Sequence, residues 1–122
     1  MNKAAVLITL QKKYPGKKII CLPEVDPTEI LCEIDPTEDH SDKSIAISII
    51  DRSVPHKHLK TTEVYTVTEG ELHVFLNGTE NVLSEGDSLT IPPDTIHWAN
   101  GNETWVKVTA TPGWTKEDHV LV

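Results

Sequence analysis

An all-β body, closed on itself or built as two sheets, preceded by one short helix, is what this 122-residue sequence predicts. Three observations carry the prediction. Short runs rich in Val, Ile, Thr and Tyr recur along the chain, each bounded by Gly, Pro, Asn or Asp. The segment Lys43 to Asp51 alternates Ile45, Ile47 and Ile49 against Ala46, Ser48 and Ile50, the period of a strand. No long helical period follows the first sixteen residues. A chain of this length normally makes one domain, with core enough to need neither a disulfide nor a structural metal. The expected division is a helical segment over residues 1–16 and a single β domain over residues 17–122.

Taken in order, Lys3 to Tyr14 places Ala4, Leu7, Ile8 and Leu10 at helical spacing, and Pro15-Gly16 supplies the stop. The apolar stripe of that helix is expected to lie on the outside of a sheet or against a second subunit. Lys18 to Leu22, ended by Pro23, and Glu29 to Ile34, ended by Asp35-Pro36, are the first two strands. The quartet Asp-Pro-Thr-Glu occurs twice, from Asp26 and from Asp35, but its flanks differ, so it is turn chemistry and not a repeat. After the isoleucine strand come Val64 to Thr68, the turn Glu69-Gly70, and Glu71 to Leu76. Asn77-Gly78 is the strongest hairpin signal in the chain, returning through Glu80 to Leu83. Ser88 to Ile91, Thr95 to Ala99 and Thr104 to Ala110 complete the strands.

His56 and His58 fall in an extended stretch, so both imidazoles point the same way while Lys57 turns outward. Glu63 has the opposite parity and joins them only if the chain turns or bulges through Leu59-Lys60-Thr61-Thr62. His97 must arrive from a distant strand. Together these four side chains offer three imidazoles and one carboxylate, a complete ligand set for one divalent ion.

The spacing His56-x-His58-x4-Glu63-x6-Gly70, followed by Gly86-x5-Pro92-x4-His97-x2-Asn100, resembles the two motifs of the cupin superfamily. The resemblance runs from Ile45 to about Thr111. It implies a double-stranded β-helix, or jelly-roll cupin barrel, behind a short N-terminal helix. It also implies that His56, His58, Glu63 and His97 bind the metal, and that the protein is a homodimer, with the N-terminal segment as the contact. The chain departs from the pattern in three places: Ile50-Asp51 replace an opening glycine, Asp94 replaces the glycine after the proline, and Asn100 sits one residue early. These are turn positions, where Asp and Asn can adopt the positive φ of glycine.

Composition bounds the partners. A net charge of -8 argues against nucleic acid and anionic membrane surfaces. Cys21 and Cys32, in a chain that shows no secretory signal, read as reduced thiols. The apolar run Ala4 to Leu10 is too short to span a bilayer, and the expected location is the cytoplasm.

The metal could be manganese, iron, nickel, cobalt or zinc, since mixed nitrogen and oxygen ligation accepts each of them. Tyr65 shares the face of Glu63 and is the candidate catalytic side chain, either as a hydrogen-bond donor or as a proton shuttle; closing one end of the core is its alternative role. Arg52 is the candidate for binding a substrate carboxylate or phosphate, with a solvated position near Asp51 as the alternative. His40, in an acidic loop, and His119 receive no role, and His73 is either a surface residue or part of a pocket rim. Trp98, Trp105 and Trp114 serve packing or an interface before sugar stacking. The expected function is that of a metal-dependent enzyme acting on a small polar metabolite, of the isomerase, lyase or dioxygenase type known among cupins. A metal-dependent module that binds a small ligand without turnover is the alternative, and a purely structural metal is the third reading.

Overall fold

The computed structural model describes all 122 residues. Helix α1 spans Lys3–Lys13. The strands are β1 (Lys18–Leu22), β2 (Glu29–Asp35), β3 (Ser44–Arg52), β4 (His56–His58), β5 (Thr62–Glu69), β6 (Leu72–Leu76), β7 (Thr79–Leu83), β8 (Ser88–Ile91), β9 (His97–Thr111) and β10 (His119–Leu121). All pairings are antiparallel, and the sheet curls into the jelly-roll barrel that the motifs imply. No helix is long and apolar enough to cross a membrane.

Asn2 caps α1 by accepting a hydrogen bond from the Ala5 amide at 3.1 Å. The buried stripe differs from the expected one: Val6 and Leu10, one turn apart, are buried, whereas Ala4 is exposed and Ile8 is 53% exposed. The helix presents this pair to the outer face of the sheet, where Ile30 and Cys32 of β2 and Ile47 and Ile49 of β3 receive it. That contact fixes orientation. Because Ile47 and Ile49 go outward beneath the helix, Ser48 and Ile50 must face the barrel interior. Both cysteines are free, Cys32 buried under the helix and Cys21 half-buried.

The interior core is formed by Ile50, Tyr65, Val67, Leu72, Val74, Leu83, Ile91, Ala99 and Val106. At the hairpin tip, Asn77 and Gly78 take φ of 46° and 85°, the mirror-image turn that Asn-Gly favours. Of the three departures from the motif pattern, only Asp94 adopts a positive φ, at 59°; its carboxylate pairs with Lys57 at 3.0 Å and its amide donates to the His58 carbonyl.

Two features were not expected. The segments Thr95 to Ala99 and Thr104 to Ala110 form one strand, β9, because β3 pairs along its whole length, from Ser44↔Ala110 to Arg52↔Asn100. A register shift between Ile50 and Arg52 marks the bend where both strands pass from one side of the barrel to the other. The second is β10, which pairs with β4 through His119↔His58 and Leu121↔His56.

Candidate metal centre

β9 runs beside β4, so His97 lies directly across from His56. Ser53 anchors this corner: its amide donates to the Ala99 carbonyl at 2.9 Å, and its Oγ accepts from the Ala99 amide at 2.9 Å. His56 and His58 both face inward, with Lys57 turned out to Asp94. Glu63 joins them after a turn at Leu59-Lys60-Thr61, as its parity requires. Asp118 holds that turn, accepting from the amides of Leu59 at 3.1 Å, Lys60 at 3.1 Å and Thr61 at 3.1 Å. Desolvation would raise the Asp118 carboxyl, but the amides of Lys60 and Thr61 outweigh it and hold the group below its usual range. The clamp therefore persists at neutral pH and is lost only when acid protonates it.

The four ligand side chains are nearly sealed from bulk water, His56 at 7%, His58 at 3%, Glu63 at 5% and His97 at 1% exposure. Their ligand atoms lie within 4.8 Å of one another. Glu63 Oε1 stands 3.1 Å from both His58 Nε2 and His97 Nε2. Neighbouring ligands at about 2.1 Å from one ion are separated by about 3 Å, so a modest contraction closes the set around a single centre.

Hydrogen bonding aims the imidazoles. His56 Nδ1 lies 2.7 Å from the Val54 carbonyl and His97 Nδ1 lies 2.9 Å from the Thr95 carbonyl, so each Nδ1–H donates outward and each Nε2 lone pair points into the cluster. His58 Nδ1 is buried with no hydrogen-bond partner, and the buried Nε2 meets only the Glu63 carboxylate, at 3.1 Å. A cation at the cluster would take the inward Nε2 lone pair of His58, a partner the chain alone supplies only through Glu63. Desolvation first, and then His97, push His56 down to about 4, leaving it neutral and ready to coordinate. Desolvation would raise Glu63, but hydrogen bonds and charge from His58 and His97 hold it down to about 2, as a carboxylate. The donor set fits one divalent ion, and the site is a mononuclear metal-binding centre.

The other candidates separate. Tyr65 is buried inside the barrel at 5% exposure, its ring 6.2 Å from that of His97. Burial and the nearby Glu63 carboxylate hold its phenol well above the usual range, so it is a proton donor in hydrogen bonds. Its hydroxyl makes no hydrogen bond within the chain. Arg52 is exposed at the end of β3, and the Asp51 carboxylate beside it is occupied by the Met1 ammonium at 2.9 Å. His73 is half-buried on the outer face of β6, held between Glu80 at 2.8 Å and Glu71 at 2.9 Å, and it lines a polar surface cleft with Asn100 and Thr104, away from the metal cluster. Trp98 turns away from the metal and stacks on Phe75, with ring centroids 4.1 Å apart. Trp105 lies under Lys13 of the helix, and Trp114 Nε1 donates to His119 Nδ1 at 3.4 Å.

His119 and Asp118 are the residues sequence reasoning missed here. The His119 ring stacks on His56 with centroids 4.4 Å apart, covering one side of the cluster. Its only sequence signal is a three-residue strand, too short for a periodicity to reveal. Replacing Asp118 by alanine leaves three amides without their acceptor. It should cost roughly 1–2 kcal/mol in urea unfolding and weaken metal binding about tenfold, because the turn that carries Glu63 to the histidines loosens.

Fold and site together define a class: a small β-barrel holding one divalent ion on three histidines and a glutamate. A cupin-domain family model matches residues 50–111, about half of the chain, and the protein belongs to the cupin family. No curated protein sequence matches it significantly. Among solved structures it is similar to Pac13 of Streptomyces, a nucleoside dehydratase, at 15% identity over 89% of this chain and 87% of that one, with a TM-score of 0.77. It is similar to KdgF from Halomonas sp. at 24% identity over 75% and 86% of the two chains, TM-score 0.65. A cupin-2 domain protein of Rhodospirillum rubrum aligns at 12% identity over 86% and 80%, TM-score 0.68. At these identities the likeness is one of fold.

Proposed function

We propose that this cupin is a metal-dependent enzyme acting on a small polar metabolite, with isomerase, lyase or dioxygenase chemistry. The observation that carries the reading is the ligand count. Four protein ligands leave an octahedral ion with about two positions for water or a chelating substrate, whereas a structural zinc site would be closed and usually rich in thiolate. When bound, the ion supplies Lewis-acid polarisation of a substrate oxygen or, as iron, oxygen chemistry. The chain's own residues supply the rest: Tyr65 offers a phenolic proton inside the barrel, and His119 and the apolar walls restrict water. The shared fold with a nucleoside dehydratase supports a hydroxyl-bearing substrate, and dehydration is lyase chemistry. The exposed apolar side chains Ile8, Leu22 and Val25 support the homodimer as part of the same reading.

The test is water-proton relaxation of manganese-loaded protein. Enhancement above that of free ion is expected, because exchangeable water fills the open positions. No enhancement at one bound equivalent would make the metal structural. Turnover of a sugar and nucleoside panel, followed by NMR with and without metal, then separates the enzyme from a ligand-binding module.

A further inference from the structure

One inward carboxylate has no part in the metal cluster. Glu29 opens β2, and the strand register fixes where it points. Leu31 pairs with Ser48, Ser48 with Val106, and Val106 with Val67, and paired residues share a face of the sheet. Val67 lies on the face of Tyr65 and Glu63, two and four residues before it. Leu31 therefore faces the barrel interior, and Glu29 and Glu33, two residues to either side, face it too. The opposite face of β2, carrying Ile30 and Cys32, is covered by the helix.

The side chain is held in place there. The buried Ser48 hydroxyl donates to Glu29 Oε2 at 2.7 Å, while Glu29 Oε1 has no partner within the chain and is not sealed from solvent. The residue is only half-buried, as are its inward neighbours Leu31, Ala46 and Val108. Glu29 is nevertheless deep enough for desolvation, opposed by Ser48 and reinforced by the Glu63 charge, to push its carboxyl up to about 7. Its charge is felt by Tyr65, and it in turn feels Glu63 and His97. Glu29 is thus coupled in charge to the metal ligands and to Tyr65. The inward positions of β2, of β3 from Ser44 to Ile50, and of β5 carry the carboxylates Glu29, Glu33 and Glu63 and no lysine or arginine; on the same face the adjoining β1 carries one cation, the exposed Lys18 at its start, opposite Glu33 and two same-face pairs away from Glu29.

We propose that Glu29 is a specificity-determining residue of the metal site: its free carboxylate oxygen receives the distal group of a metal-chelating ligand and selects a hydroxyl or ammonium group over a carboxylate or phosphate. The ligand class is then a small neutral or cationic metabolite rich in hydroxyl or amino groups. This rests on the reading of an open metal centre, and the experiment separates the two.

Three hydroxamates share one chelating head and a two-methylene spacer and differ in the tail: β-alanine hydroxamate (ammonium), butanohydroxamate (methyl) and succinic monohydroxamate (carboxylate). Their affinities for cobalt-loaded protein are read from the cobalt absorption spectrum. In the wild type the ammonium tail should bind at least about tenfold more tightly than the carboxylate tail, the scale of one partly screened charge contact. Glu29→Gln, which keeps an oxygen for Ser48, should bring that ratio to within about threefold while butanohydroxamate affinity and cobalt content are unchanged. Glu29→Asp should retain most of the preference and guards against a merely structural effect, and Glu33→Gln should change it less than Glu29→Gln. An unaltered ratio in a cobalt-loaded Glu29→Gln protein overturns this inference and leaves the open centre standing. If no hydroxamate perturbs the spectrum of protein holding one equivalent of cobalt, the open centre itself fails.

Discussion

Replacing His97 by alanine should reduce bound metal from about one equivalent to background in protein purified without chelator. His97 is the ligand that the second motif contributes, and its Nε2 stands 3.1 Å from Glu63 Oε1. Disturbing only the groups that orient a metal ligand costs roughly 10–100-fold in affinity, so removing the ligand itself should cost at least about 100-fold. The fold also suffers. His97 is 1% exposed, with its ring 4.2 Å from that of His56, and truncating a buried ring of this size costs about 2–3 kcal/mol. The two effects are separable by melting each protein with and without chelator. The wild type should lose stability when the metal is stripped, and the variant, already lower, should not respond. A variant that retains a full equivalent of metal would place the ion elsewhere. His97→Gln, which fills more of the space, should melt higher than the alanine variant and still fail to load.

The second large effect is expected at Gly101, where β9 bends. A Cβ there would sit 2.5 Å from Thr104 Oγ1 and 2.7 Å from the Ile50 carbonyl. The second atom is backbone and cannot swing away, and Thr104 is pinned by donating to the Glu71 carbonyl at 2.6 Å. Gly101→Ala should therefore destabilise the protein by roughly 2–3 kcal/mol in urea. Unlike a change in the distant core, it should also weaken metal binding, because this bend turns His97 back towards Glu63. Gly86→Ala is the comparison: nothing lies within 4 Å of the added Cβ, and the cost is only that of a positive φ, 88°, about 1 kcal/mol. Equal losses in the two variants would remove the bend from the account.

The ligand set was legible in the sequence because metal chemistry restricts residue type and strand geometry restricts spacing. His56-x-His58 can face one way only on a strand, and the parity of Glu63 announced the turn that Asp118 holds. The hairpin at Asn77-Gly78 and the positive φ at Asp94 were legible for the same reason, since few residues tolerate those angles. The continuity of β9 was not, because Asn100-Gly101-Asn102 has turn composition and only pairing with β3 and β6 keeps it in a strand. Val6 was missed on the helix because the faces of so short an apolar run are nearly equivalent until a sheet chooses one. Glu29 could not be found by pattern either. A glutamate beginning a strand beside Asp26-Pro27-Thr28 reads as surface, and only the chain of pairings through Ser48, Val106 and Val67 turns it inward.

A bound ion would gather side chains from β4, β5 and β9 and so stitch residue 56 to residue 97, adding to a closure that the polypeptide makes with the short β4–β9 pairing and the Ser53–Ala99 hydrogen bonds. Such a stitch is a thermodynamic linkage. At free metal a thousand times above its dissociation constant, it would add about 4 kcal/mol to the folded state. Starved of metal, the same chain would open more often along this seam and be exposed to proteolysis, so the protein's lifetime would follow the supply of its own cofactor.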